Sequence, residues 1–398
     1  MTGRSTYVDD IQPHGLAYVA ILRSVYAHAT ITAIDTSAAA AHPGVIAVYS
    51  DAAFRDMVEP MPHGGEGAVP PDMTPIATPV FAHGRVRHVG EPIAVVVAGD
   101  RYVARDALDL IEVDYEPLEA AVDLEAAVAP DAPQLYDDVP GNVAYTWTCK
   151  QGDPDAAFGS ADVTVRQRLV NQRLAGVAME PRGVLTQPDA LSGGLVVITS
   201  TQNPHTVRRE IAATLRLPEI AVRVIAPEVG GGFGVKISSY PEDMICAVLT
   251  LRLNRPVKWI ETRGESLSST HHGRAQVADV ELAARRDGTI TALRMRLLAD
   301  LGAYPRDPTI PPLTGWLMCG VYKYDAVDLD IRAVYTNTMA VGAYRGAGRR
   351  VKLTSATFAK PARVMLCCEV KLPGAVPIQA RRRPARRNAA HMKRSSAG

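Results

Sequence analysis

The chain is poor in the features that would place it at once. Its five cysteines (Cys149, Cys246, Cys319, Cys367, Cys368) are scattered and include no C-x-x-C pair. That argues against a disulfide framework, a zinc site or an iron–sulfur cluster, so any electron relay would sit on another polypeptide. No apolar run, including the one through Ile93 to Gly99, approaches the roughly 20 residues of a membrane span. The start of the chain lacks a basic-then-apolar leader pattern, and a cytoplasmic protein without a membrane partner is expected. No repeat of 20–50 residues is visible. What is present is ordinary: 398 residues, 47% hydrophobic and 21% charged, enough for two or three packed domains.

The net charge of +1 conceals an asymmetry. Residues 351–398 hold eleven Lys or Arg and one acid, while the body before them is net −9. The run Arg381-Arg382-Arg383-Pro384-Ala385-Arg386-Arg387 has the charge of a nucleic-acid arm. Its composition reads more simply as a disordered basic tail, and no nucleic-acid partner is expected.

The first ~140 residues read as a small mixed α/β unit by their periodicity. Pro92–Ala98 is a short buried strand, Ala104–Leu110 has helical character, and Glu112–Tyr115 alternates as a strand. Residues 141–160, with Pro140-Gly141-Asn142 and Gly152-Asp153-Pro154 at the two ends, read as a linker. Beyond it, strands are expected at Gly194–Ser200, Val222–Ala226 and Val257–Glu261. Helices are expected at His205–Leu215 and at Pro241–Leu253, the latter with Met244, Val248 and Leu251 on one face. Val277–Ala284 and Ile290–Leu298 flank Asp287-Gly288, a hairpin signal in which both central turn positions favour positive φ.

The most unusual segment is Gly230-Gly231-Gly232-Phe233-Gly234-Val235-Lys236, between an expected strand and an expected helix. Four glycines in five positions let a backbone approach a ligand and aim N–H groups at it, as a phosphate or oxo group requires; a tight turn is the plain alternative. A dinucleotide G-x-G-x-x-G does not fall in register, and no acidic residue follows where a ribose contact belongs. The kinase glycine loop fails as well, because no H-R-D or D-F-G follows, and G-x-x-x-x-G-K-[ST] is absent.

Several further motifs occur in order: Gly3-Arg4-Ser5-Thr6-Tyr7-Val8-Asp9-Asp10-Ile11, Val89-Gly90-Glu91-Pro92, Val113-Asp114-Tyr115-Glu116-Pro117-Leu118, Met179-Glu180-Pro181-Arg182-Gly183 and Ser200-Thr201-Gln202-Asn203-Pro204. After the glycine loop come Tyr240-Pro241-Glu242-Asp243, Arg255-Pro256-Val257-Lys258, His272-Gly273-Arg274 and Gly342-Ala343-Tyr344-Arg345-Gly346-Ala347-Gly348-Arg349. Together they resemble the molybdenum-cofactor-binding large subunit of the xanthine dehydrogenase, aldehyde oxidase and aerobic carbon monoxide dehydrogenase family, over about residues 1–349.

The resemblance implies an α+β, α/β fold. A hammerhead domain would span 1–140 and a linker 141–160. The first molybdenum-cofactor-binding domain would span 161–350, with 351–398 as an unmatched basic tail. It implies molybdopterin cytosine dinucleotide as cofactor, with FAD on a flavin-binding medium subunit and [2Fe-2S] clusters on an iron–sulfur small subunit. The implied reaction is hydroxylation of a small-molecule aldehyde or N-heterocycle, with water as oxygen donor. Carried residue by residue, Gln202 matches the glutamine beside a molybdenum oxo ligand, although a surface Gln is the simpler reading of the residue alone. Gly231, Gly232, Phe233 and Gly234 match the loop whose N–H groups face the metal's oxygen, with Phe233 equally readable as core filler. Arg345 matches the arginine that positions substrate, against a solvated surface role.

His271 and His272 are adjacent and diverge on most backbones, so they are not expected to ligate a metal, which the pterin holds in this family. Gly346 stands where copper-dependent carbon monoxide dehydrogenases carry a cysteine, and Ile237 where purine-oxidising relatives carry a glutamate; both substrates are disfavoured. Family members continue past Arg349 into a second cofactor domain bearing the catalytic general base. A chain truncated by a frameshift or early stop is therefore expected, inactive alone, with a non-catalytic fragment unable to hold the cofactor as the alternative.

Overall fold

The computed structural model describes residues 3–63, 69–74 and 76–348. The basic tail and Arg349 lie outside the described residues. Two large sheets dominate. The seven-stranded one runs, edge to edge, Val222–Ile225, Leu195–Thr199, Gly183–Pro188, Val257–Ile260, Ala17–Arg23, Pro92–Ala98 and Val45–Ser50. Its middle joins sequence-distant parts, because Ala17–Arg23 pairs in parallel with Val257–Ile260, placing Ala17 opposite Val257. The first unit and the unit that follows it thus share one continuous sheet.

The five-stranded sheet is ordered Val143–Gln151, Ala326–Tyr335, Ile290–Gly302, Gln276–Ala284 and Val163–Asn171. Its first strand corrects the expected linker: residues 143–151 pair antiparallel with 327–334, and Pro154–Gly159 forms a short helix capped by Asp153. The turn residues at both ends of this stretch punctuate a strand of β-branched and aromatic residues, Val143-Ala144-Tyr145-Thr146-Trp147, rather than a tether. The hairpin between 276–284 and 290–302 forms as expected, but its turn differs. Gly288 alone has positive φ (+87°), with its N–H donating to Arg285 O at 3.0 Å, and the register slips beside Ala284. One glycine after a three-residue turn absorbs the strand twist that two positive-φ residues would otherwise supply.

Helices form at Pro204–Thr214 and Pro241–Leu253, both with proline in the first turn, where no N–H is needed. The second is reinforced by Asp243, whose carboxylate accepts the Tyr240 N–H at 2.8 Å, and it ends at Asn254 in a left-handed conformation. Met244 and Val248 are fully buried, as is every residue from Glu242 to Thr250, whereas Leu251 is exposed. A single apolar face underestimates this helix. Its side chains join one core cluster with Trp259 of the sheet and with Phe54, Met61, Val80 and Phe81 of the first unit.

Beneath the helix lies a buried ionic network. Arg182 donates to Glu242 at 2.8 Å and, through Nε, to Glu261 at 3.0 Å, Arg23 donates to Glu242 at 2.7 Å, and the Arg182 guanidinium stacks 3.8 Å from the Tyr240 ring centroid. The two arginines hold the Glu242 carboxyl down at about 2 against its burial. Among the described residues, no helix is long and apolar enough to cross a membrane.

Candidate cofactor and substrate site

Gln202 is fixed by the helix that follows it. Asn203 caps that helix by accepting the Thr206 N–H at 3.3 Å, Gln202 N–H donates to Lys236 O at 2.7 Å, and Thr201 Oγ1 donates to the same oxygen at 3.1 Å. The Gln202 side-chain oxygen accepts the Gly234 N–H at 2.8 Å and the Lys236 N–H at 3.4 Å. With its oxygen so committed, the group Gln202 can offer a ligand is its NH2.

The glycine loop lies between Val222–Ile225 and Pro241–Leu253, strand before and helix after, as expected. Gly230 N–H donates to Glu180 Oε2 at 2.7 Å, and Val235 N–H to Gly232 O at 2.9 Å. The N–H groups of Gly231, Gly232 and Phe233 have no partner among the described residues. At Gly232 a Cβ would sit 2.3 Å from Gln202 Oε1, so only glycine lets the loop lie against this amide. Phe233 is not core filler: it has φ +53° and is 44% exposed. Three consecutive unpartnered donors, two of them on glycine, fit a ligand bearing oxo or phosphate oxygens.

Glu180 and Lys236 lock both ends of this loop. Glu180 N–H donates to Gly230 O at 3.1 Å, while its Oε2 accepts from Gly230, from Ser200 Oγ at 2.8 Å and from Lys236 Nζ at 3.0 Å. Burial lowers the pKa of the Lys236 ammonium, and Glu180 opposes that shift. Both residues stand inside motifs quoted above, yet neither was singled out. Their signal is a basic side chain ending a glycine run and an acid 56 positions away, and no spacing rule links the two.

Arg345 meets the loop from the other side. Its N–H donates to Phe233 O at 2.8 Å, and its guanidinium carbon lies 5.9 Å from the Phe233 ring centroid. Arg274 holds the arginine segment from behind, donating to Tyr344 O and, at 2.7 Å, to Arg345 O. Burial raises the Asp307 carboxyl pKa from its ordinary value, and the side chain accepts from Thr309 Oγ1 at 2.9 Å.

A cavity of about 440 Å³ opens beside these loops. Gln202, Gly234 and Ile237 line it with His88 and Glu91 of the first unit and Asp307. Gly231, Gly232, Phe233 and Arg345 are not among its lining residues, so the expected site residues divide between the cavity and an adjoining surface. His271 and His272 diverge. His271 turns inward to Tyr240 and Ala343, and His272 reaches Leu267 O at 3.0 Å and Arg173 at 3.2 Å.

The chain matches the molybdopterin cofactor-binding domain over residues 135–357, and the aldehyde oxidase and xanthine dehydrogenase a/b hammerhead domain over residues 2–119. It belongs to this family of molybdenum hydroxylase large subunits. It is 36% identical over 371 residues to the gamma subunit of the 6-hydroxypseudooxynicotine dehydrogenase complex of Paenarthrobacter nicotinovorans, an alignment covering 92% of this chain and 46% of that one. The solved structure of quinoline 2-oxidoreductase from Pseudomonas putida 86 superposes with a TM-score of 0.83 at 36% identity, over 87% of this chain and 44% of that one. The nicotinate dehydrogenase large molybdopterin subunit of Eubacterium barkeri is 32% identical, with 87% of this chain and 78% of that subunit covered. The chain therefore spans about half the length of most of these relatives and most of the length of the last.

Proposed function

We propose that this molybdenum hydroxylase chain supplies one wall of the cofactor site of an oxidoreductase acting on an aldehyde or N-heterocycle. The N–H groups of Gly231, Gly232 and Phe233, with Gly234 holding Gln202 in place, would face the cofactor's oxygen atoms, and the Gln202 NH2 would donate beside them. When bound, a molybdenum–pterin group supplies an oxygen nucleophile derived from water and accepts the electrons. Arg345, exposed and resting against Phe233, would orient a carbonyl or anionic oxygen of substrate through its planar fork. The cavity bounded by Gln202, Ile237 and Asp307 would take the substrate body, and its volume suits a one- or two-ring molecule.

The observation that carries this reading is the run of three unpartnered N–H donors beside Gln202. We further propose molybdopterin cytosine dinucleotide as the cofactor form, a cytoplasmic setting, and partners in the form of a flavin-binding medium subunit with FAD and an iron–sulfur small subunit with [2Fe-2S] clusters. The complexes named for the relatives support multi-subunit assembly. The remainder of the cofactor site, including a general base, would come from polypeptide corresponding to the unmatched half of the longer relatives. The test is metal analysis of the chain produced in a molybdenum-cofactor-making host together with such a polypeptide. Molybdenum near one per chain is expected, and none in the assembled complex contradicts the reading.

A further inference from the structure

The glycine loop and the arginine segment each carry proposed ligand contacts; one main-chain hydrogen bond, from Arg345 N–H to Phe233 O 112 positions away, joins them where Gly234 lies against the Ala343 and Tyr344 backbone. A second, side-chain connection runs behind it. Tyr240 Oη lies 2.7 Å from Val235 O in the glycine loop and 2.8 Å from His271 Nδ1; His271 Nε2 lies 3.1 Å from Ala343 O, two residues before Arg345. The two rings are stacked, 5.8 Å apart and 19° from parallel. On the arginine side the imidazole is pressed against Gly342, where a Cβ would come within 3.0 Å of it.

Burial, with Arg306, Arg182 and His272 nearby, pushes the His271 pKa down to about 4, so the ring is neutral at pH 7 and carries one proton. The two tautomers differ in consequence. With the proton on Nε2, His271 donates to Ala343 O and accepts the Tyr240 O–H at Nδ1, leaving Tyr240 Oη and Val235 O 2.7 Å apart with no proton between them. With the proton on Nδ1, Tyr240 can donate to Val235 O, but the Nε2 lone pair then faces the Ala343 carbonyl oxygen. Each form makes two hydrogen bonds and leaves one pair of acceptors facing, Tyr240 Oη and Val235 O at 2.7 Å or His271 Nε2 and Ala343 O at 3.1 Å, so the pair of rings touches both segments in either tautomer.

We propose that His271 and Tyr240 form a positioning couple that holds the arginine segment in register with the glycine loop, setting where Arg345 stands relative to the Gly231–Phe233 donors. The proposal rests on the reading of those two segments as faces of one ligand site, but its test needs no cofactor. Hydrogen exchange of the full chain reads the Arg345 amide directly. His271→Leu should speed that exchange by about tenfold or more while amides of helix Pro241–Leu253 stay protected, and His271→Gln, which retains a donor near the Nε2 position, should restore it to within about threefold of wild type. Tyr240→Phe should also speed it, and in combination with His271→Leu should add little, because both break one chain of contacts.

If His271→Leu fails to fold, the glutamine and phenylalanine variants carry the test. The proposal is overturned by an unchanged Arg345 amide in the foldable variants, or by effects of the two substitutions that simply multiply. Coupled exchange in a complex that binds no molybdenum would leave the couple standing and remove only the cofactor reading.

Discussion

The main-chain N–H of Arg345 donates to the carbonyl oxygen of Phe233 at 2.8 Å, joining two segments that the resemblance treats as separate motifs. The bond explains why Phe233 adopts φ +53°: that conformation sets its carbonyl towards Arg345 while the residues before it leave their N–H groups unpartnered. The geometry of the proposed site is therefore a property of the pair, and substitutions should be judged by whether they move one segment against the other.

Gly232→Ala tests the close approach. Its methyl would sit 2.3 Å from Gln202 Oε1, so the amide must swing away and release the Gly234 N–H. A loss of about 1–3 kcal/mol in urea unfolding is expected, with molybdenum content of the assembled complex falling in parallel. An alanine variant with wild-type midpoint and full metal content would contradict the packing described.

Glu180 and Lys236 should behave as a coupled pair. Glu180→Ala leaves a largely buried ammonium without its carboxylate and removes the acceptor of Gly230 N–H, at a cost of roughly 3–5 kcal/mol. Adding Lys236→Met should recover part of that loss, because the orphaned charge goes with it. Additive losses in a double-mutant cycle of unfolding free energies would show that the pair does not interact as its 3.0 Å separation implies.

Two buried groups pull stability in opposite directions with pH. The folded pKa of His271, about 4, lies below its ordinary 6.5, so its contribution is full above pH 6.5 and is lost as pH falls towards 4. Burial raises Asp243 from 3.8 to about 6, so its contribution is full below 3.8 and is lost as pH rises through 6. Between pH 4 and 6 the two offset. His271→Gln should expose the Asp243 slope, stability falling as pH rises over that window, while the wild type stays flatter by on the order of 3 kcal/mol at most. Unfolding free energies at pH 4, 5 and 6 for both proteins check this, and parallel profiles would contradict it.

The local frame of the candidate site is legible in the sequence because it is written in short local motifs. The glycine run falls between strand and helix as its neighbours demand, and Gln202 precedes an Asn-Pro helix start that fixes it. What was not legible depends on distant partners. His271 looks like half of an idle His-His pair until Tyr240, 31 positions away, and Ala343, 72 positions away, are brought to its two nitrogens. The shared sheet escaped for the same reason, since nothing local in Ala17–Arg23 announces parallel pairing with Val257–Ile260. The linker reading failed differently: the turn residues were seen and the alternating strand they bracket was not.

The most direct measurement is the position of molybdenum in a crystal of the assembled complex, located by anomalous scattering at its absorption edge. The account predicts one peak facing the Gly231–Phe233 N–H groups and the Gln202 side chain, with Arg345 on the same side. A molybdenum peak elsewhere, with those three N–H groups bonded within the protein, would contradict it.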